Sequence, residues 1–374
     1  VARPRPGRLG PVRVWQLIAG EIVLIVAVPA ARTHDLAVRA LVIAAMICAF
    51  GVLFIPGGSG EPVLATISRR WRLRRRARRA RPAMGAPLRR LAGFNPGFAV
   101  GVAHGDRWPN LGVGQDDDGW FAVLRVELPG DAVLPLNELV GAAAGFGVPA
   151  SVQVVVQSGT ETGAASGVSA ACAASYQALL YELRVAAPVD RAVWVSVRLN
   201  AAGLVGQGLP ASRSVPGLVY GAARELGRVL DQAGLPYEAL GPDDLVGTLA
   251  ATLDLRAVAP SGQRDQEIWD CWHSTRLAHV GFWVADWPSA GEVGTVLDRL
   301  HAIGAPLLTT ALTLRPVDGA VEITGLVRVA SAPDTIARYR ARVEQVARAA
   351  HTRLHPLDGE HASAAYASVP GGGR

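Results

Sequence analysis

Three sets of residues in this 374-residue chain have the types and spacing for chemistry. The stretch "DCWHSTRLAHVGFW" places Cys271 two positions before His273, with His279 following. Residues two apart on a strand share a face, so a thiolate–imidazole pair is available there, without a third group to orient it. His351, His355 and His361, with Asp358 and Glu360, form the densest set of metal-type ligands. Two imidazoles four apart meet one ion only on a continuous helix, and Pro356 interrupts it, which leaves an exposed C-terminal turn. Asp116, Asp117 and Asp118 lie in "GVGQDDDG". A calcium loop needs spaced acids and a distant glutamate, so Gly112 to Gly119 reads as a solvated turn.

Other chemistry is missing. All 37 basic residues are arginine, which removes the phosphate-binding lysine of a P-loop and any Schiff-base lysine. The glycine-rich "GLVGQG" (Gly203 to Gly208) is not set between a strand and a helix as a phosphate cradle requires. Ser212 and Ser214 are simpler as caps of the helix that follows. Cys48, Cys172 and Cys271 show neither metal spacing nor a disulfide framework. The expectation is no catalytic residue, no metal and no cofactor.

The elements that must position these residues follow from hydrophobic periodicity. After a strand at 98–103, the order is strand 120–128, helix 134–146, strands 151–157 and 192–199, helix 215–234 and strand 236–240. From Ala278 it recurs as strand 278–285, helix 289–303, strands 306–315 and 320–329, helix 333–350 and strand 352–357. Both series read βαββαβ, the ferredoxin-like order. They suggest an internal duplication within an α+β domain, divided into subdomains 97–254 and 255–358. A further helix spans Pro242 to Thr252, a long excursion fills 158–191 with a Gly/Ser/Ala-rich stretch at 158–174 and a helix expected in its second part, and 359–374 is expected to be a disordered tail. Trp269, Trp272, Trp283 and Trp287 cluster about the second series. Core packing accounts for some of them, and the others are candidates for a partner surface, because tryptophan anchors interfaces.

Ahead of this domain lie two apolar stretches, 14–31 and 36–55, joined by "RTHD" and each long enough to span a bilayer. They read as a transmembrane hairpin, with Trp15 at a headgroup level and Glu21 and Arg39 within the helices. The alternative reading of the first stretch as a signal peptide leaves the large domain on the same side. Small residues Ala44, Ala45, Ala49 and Gly51 suit helix–helix packing. Residues 1–13 are basic, and the linker 56–96 contains "RRWRLRRRARRARP", with Arg69, Arg70, Arg72, Arg74, Arg75, Arg76, Arg78, Arg79 and Arg81. By the positive-inside rule both ends of the hairpin are cytoplasmic, and the arginines face anionic lipid headgroups. From Leu91 onward there are 20 arginines against 28 acids, a net charge of −8. That acidic body argues against nucleic acid as a partner.

The basic N-terminus, the hairpin, the arginine run and the acidic domain with "PVDRAVWVSVRL" (Pro188 to Leu199) and "WHSTRLAHVGFWVADWP" (Trp272 to Pro288) resemble the EccE family of actinobacterial type VII (ESX) secretion systems. The resemblance implies a non-catalytic structural subunit of a plasma-membrane complex. Its implied partners are EccB, the EccC ATPase, EccD and the mycosin protease. Two other classes stay open on the residues alone. One is a membrane-anchored enzyme acting on a lipid-linked or sugar substrate through Asp116 to Asp118 and a metal. The other is a nucleic-acid-binding anchor that uses the arginine run.

Overall fold

The computed structural model describes residues 63–79 and 87–372, except 130–131, 161–188 (of which 175, 178, 179 and 182 are described), 207–214, 256–264, 289–291 and 318. Before residue 63 it describes 8–9, 12–13, 21, 25, 37, 40 and 44. The chain divides into two compact units, 1–76 and 77–374.

In the first unit β1 (Arg8–Leu9) pairs antiparallel with β2 (Val12–Arg13). The expected membrane hairpin lies outside the described residues, save Glu21, Ile25, Ala37, Ala40 and Ala44, each of which is helical. No helix among the described residues is long and apolar enough to cross a membrane. Helix α1 (Val63–Arg79) carries eight of the nine arginines of the run. Arginine, leucine and alanine favour helix.

The second unit is built in chain order from α2 (Pro87–Phe94), β3 (Ala99–Ala103), β4 (Leu111–Asp116), β5 (Gly119–Val126), α3 (Leu136–Ala144), β6 (Ala150–Thr160) and β7 (Val189–Asn200). It continues with α4 (Ala201–Gly206), α5 (Val215–Gln232), β8 (Tyr237–Ala239), α6 (Pro242–Thr252), β9 (Gln266–Glu267), β10 (Trp272–His273) and β11 (Ala278–Asp286). The last elements are α7 (Val293–His301), β12 (Leu307–Val317), β13 (Ala320–Ser331), α8 (Ile336–Ala349), β14 (Arg353–Pro356) and α9 (His361–Ala367).

One 12-stranded antiparallel sheet runs β3-β4-β5-β7-β6-β12-β13-β11-β10-β9, with β8 beside β5 and β14 beside β11. The order β8-β5-β7-β6 in the first half is matched by β14-β11-β13-β12 in the second. The halves join through equivalent strands, β6 against β12, from Leu308 opposite Ser158 to Leu314 opposite Val152.

Strand alternation sorts the side chains into two layers. On β7, Val193, Val195, Val197 and Leu199 enter the core under α3 and α5, while Trp194, Ser196 and Arg198 point to the opposite face. On β13, Val327 and Val329 pack under α7 and α8, and Leu326 and Arg328 turn to that same opposite face. Helices α2, α6 and α9 cover it.

Three expectations are corrected. Gly112 to Gly119 is not a turn: Leu111 to Asp116 form β4, and only Asp117 and Asp118 connect it to β5. Its glycines answer to close approach, since a Cβ on Gly112 would lie 2.7 Å from the Gly241 carbonyl and one on Gly114 2.2 Å from the Phe121 ring. Within the expected linker, 87–94 form α2, whose Leu91 is fully buried. Its Arg90 is held by Asp265 at 2.7 Å and by the Leu255 carbonyl at 2.8 Å. The expected disordered tail is ordered through 372: His361, Ala365, Ser368 and Val369 are fully buried against the centre of the sheet.

Candidate functional site

Two buried arginines, one from each half, organise the face beneath α9. Arg198 reaches from β7 to Asp116 at the end of β4 in a two-pronged ion pair, with 2.6 Å from Nη1 to Oδ1 and 2.6 Å from Nη2 to Oδ2. Its Nε donates to the Gly371 carbonyl at 2.9 Å, and its guanidinium lies 5.0 Å from the Phe121 ring. Asp116 also accepts from the Tyr366 hydroxyl at 2.9 Å and from the backbone N–H groups of Asp118 and Gly119. Burial by itself would raise the Asp116 carboxyl, but the hydrogen bonds and charge of Arg198 outweigh it and hold the group below the usual carboxylate range. Burial, then Asp116, push the Tyr366 phenol up. Gln153 closes the knot: its side chain donates to the Ala367 carbonyl and accepts from the Gly371 N–H.

Arg328 has no carboxylate partner among these contacts. It donates to His279 Nδ1 (3.0 Å), Thr309 Oγ1 (3.0 Å), the Thr252 carbonyl (2.9 Å) and Ser368 Oγ (2.8 Å). Burial pushes its guanidinium down to about 9, so it stays charged at neutral pH. An arginine is only a donor, so the His279 proton must sit on Nε2, which meets Ser274 Oγ at 2.9 Å. The Ser274 hydroxyl in turn donates to Asp254 Oδ2 at 2.8 Å. Asp254 is paired with Arg276 at 2.8 Å and adopts a left-handed backbone (φ 54°) just past the end of α6, the position where helices often end in that conformation.

The Ser274–His279 contact has the spacing of a nucleophile and its base but the opposite polarity. A general base must accept the serine proton at the imidazole nitrogen, whereas here that nitrogen donates. Burial, then the Arg328 charge, keep His279 neutral.

The cysteine and histidine singled out in the sequence do meet. Cys271 Sγ is 3.3 Å from His273 Nε2. Burial and the nearby Asp270 push the thiol up to about 11, and burial lowers His273, so the pair rests as thiol and neutral imidazole. The three C-terminal histidines are separated. His351 is exposed, while His361 is buried and accepts the Gly281 N–H at Nδ1, 3.1 Å away. No three His, Cys, Asp or Glu residues are grouped to hold a metal ion among the described residues. Asp116, the buried member of the aspartate run, is filled by Arg198.

Of the four tryptophans, Trp272 is core, 2% exposed and edge-on to Phe94 at 5.1 Å. Trp269, Trp283 and Trp287 are half-buried, Trp287 lying over Gly325 and Trp269 over Gly359. In the arginine run Arg70, Arg72, Arg74 and Arg75 are exposed on α1, and Arg69 is half-buried. Arg76, Arg78 and Arg79 lie in the same helix, and Arg81 is outside the described residues. Arg75 stacks over the exposed Trp71 ring at 4.8 Å.

Sequence reasoning missed Arg198, Arg328, Gln153, Asp254 and Tyr366. One signal was available: "VWVSVRL" and "GLVRVA" each set an arginine inside a run of valines, and a charge in a strand buried on both faces requires a partner.

No curated protein matches the chain. Among solved structures it is similar to alkyldihydroxyacetonephosphate synthase in two crystal forms, with 9% identity and a TM-score of 0.29, and 10% and 0.28. Each covers 64% of this chain, which spans 41% of the synthase. A crystal structure of an unknown protein from Galdieria sulphuraria aligns at 15% identity and a TM-score of 0.17, covering 56% of this chain and 98% of that one. Likenesses this distant say nothing about chemistry. The run from just before β7 into β11 is different: residues 187–284 match the family "Putative type VII ESX secretion system translocon, EccE", and over that segment the chain is EccE-like.

Proposed function

We propose that the protein is a non-catalytic structural subunit of a type VII (ESX) secretion complex in the plasma membrane, where its α+β domain docks neighbouring subunits. The family match across 187–284 carries this reading, because that segment includes the Pro188–Leu199 stretch and all but the last four residues of the Trp272–Pro288 stretch. The side-chain chemistry is consistent with it. Each candidate group is held in an unreactive state: the Cys271 thiol is pushed up, His279 Nε2 donates to Ser274 rather than accepting from it, and Asp116 is filled by Arg198.

In this proposal a two-helix hairpin over 14–55 holds the chain in the membrane with both ends cytoplasmic. The arginines of α1 meet anionic headgroups, to which each adds about 1 kcal/mol near the surface. Docking uses the rim near β9 and β10, where half-buried Trp269 adjoins exposed Ile268. The partners are the EccB, EccC, EccD and mycosin subunits that the family resemblance implies. The test is a mild-detergent pulldown of the tagged full chain from native membranes, read by mass spectrometry and native gel. Co-purification with an FtsK-like ATPase in a large particle is expected. A chain that migrates alone in several detergents overturns the reading.

A further inference from the structure

Strand β3 ends the sheet, and among the described residues nothing pairs with its outer edge. The direction of its backbone groups follows from its neighbour. Gly112 on β4 donates its N–H to the Leu240 carbonyl at 2.8 Å, away from β3. Val102 stands opposite Gly112, and Val100 opposite Gly114. In an antiparallel ladder both members of such a pair turn their N–H and C=O away from each other. Val100 and Val102 therefore aim their backbone groups outward, while Ala99, Gly101 and Ala103 bond to β4.

Soluble proteins usually guard an edge of this kind with charge, proline or a bulge. This one has none of them: the pairing with β4 is regular from Ala99 to Ala103, and residues 97–105, "GFAVGVAHG", hold no acid, arginine or proline. That stretch also reads the same in both directions about Gly101, save that the ring of Phe98 is answered by the ring of His104. A two-fold axis at Gly101 would set Val100 of one copy opposite Val102 of the other, twice. Both would be hydrogen-bonded pairs, and four bonds would use every outward N–H and C=O of the two strands. Gly101 would face Gly101 of the second copy, where backbones come closest. No like charges meet.

We infer that the β3 edge is a self-association site, at which a second copy of this chain adds its own β3 antiparallel in the register centred on Gly101. The inference needs none of the secretion partners, but it rests on the membrane anchoring proposed above. An edge of five residues buries less than the roughly 1,000 Å² of a lasting interface, so the contact holds where the chain is concentrated, as on a membrane.

Cross-linking tests it in the full chain, with Cys48, Cys172 and Cys271 replaced by alanine. A side chain at Gly101 would meet open space, so Gly101→Cys leaves the protomer unstrained. Directly opposed residues of an antiparallel pair lie within disulfide reach. Mild oxidation in membranes should give Gly101→Cys a disulfide-linked dimer at several times the yield of Val133→Cys, a control that is 82% exposed. Adding Val102→Pro should then abolish the excess. Proline is tolerated on an edge where its nitrogen faces solvent, so the protomer keeps its melting temperature but loses two of the four bonds. A yield at Gly101→Cys no higher than the control overturns the inference. So does a dimer indifferent to Val102→Pro, and so does edge protection by a different protein alone.

Discussion

The two halves of the sheet share an element order but settle the same problem in different ways. Each sends one arginine from its third strand to the face under α9. In the first half Arg198 finds a carboxylate directly, and Asp116 accepts both prongs. In the second, Arg328 is met by neutral acceptors, and the nearest acid in the chain of contacts, Asp254, lies beyond His279 and Ser274 and is already paired with Arg276. A topology can be doubled while its charge compensation is not. The direct pair must be kept whole, because either member left alone is a buried charge without a partner. The relayed arginine is a single charge that could be removed together with its cost.

The largest expected effect comes from ending the chain after Leu357. Both arginines lose a partner, Gly371 for one and Ser368 for the other, and Phe121 loses the cover of the C-terminal segment. The loss should exceed the roughly 5–15 kcal/mol of a typical domain, and the product should aggregate or show no cooperative melt. Next, Asp116→Ala should cost about 3–5 kcal/mol by denaturant titration. Arg328→Met should cost less, about 1–3 kcal/mol, the price of acceptors left without a donor. If Arg328→Met is the worse of the two, the contrast between the halves fails.

Acid sharpens the contrast further. His301 is buried between Ser158 Oγ at 2.6 Å and Thr310 Oγ1 at 3.0 Å, and burial lowers it to about 4. His279 is lowered in the same direction. Both are neutral in the fold, and the unfolded chain takes up their protons first. Stability should therefore be full above about pH 6.5 and fall by about 3 kcal/mol from His301 alone as the pH drops to about 4. Asp116, held low, adds its loss only below its ordinary value, near pH 4 and under. Denaturant midpoints measured from pH 7 to 3 separate the two windows. The smallest effect belongs to Cys271→Ala, about 1 kcal/mol, with no change in the proteins recovered by pulldown. The native thiol should label slowly at neutral pH.

The repeated element order was legible in the sequence because it is written in local periodicity. The strands at 278–286 and 320–331 and the helices at 215–232 and 336–349 all announce themselves by alternation or by an apolar stripe. What could not be read depended on distant partners. Gly112 and Gly114 looked like turn residues, because nothing nearby shows that Gly241 and Phe121 crowd them. Arg90 looked like linker charge until Asp265 met it from 175 positions away. "SVPGGGR" looked incapable of a core, yet Gly371 fits there because it has no Cβ to strike the Phe121 ring and takes a backbone φ of 80°. At the candidate site the Cys271–His273 contact was legible, since both residues lie on one short stretch. The arginine networks were not, as each gathers residues from four or more elements.

The C-terminal segment also sets a schedule for folding. Tyr366 bonds to Asp116 across 250 positions, and Gly371 to Gln153 across 218. Contacts this distant along the chain make for slow closure. During synthesis the first half can assemble its helices and hairpins, but its central arginine pair remains open to water until position 371 has left the ribosome. Until that moment Phe121 and the neighbouring sheet face lack the cover of the C-terminal segment and have only that of α2 and α6 among the described helices. The nascent chain at that stage is the form most exposed to chaperones and to misassociation, and its completion is a single late event rather than a gradual one.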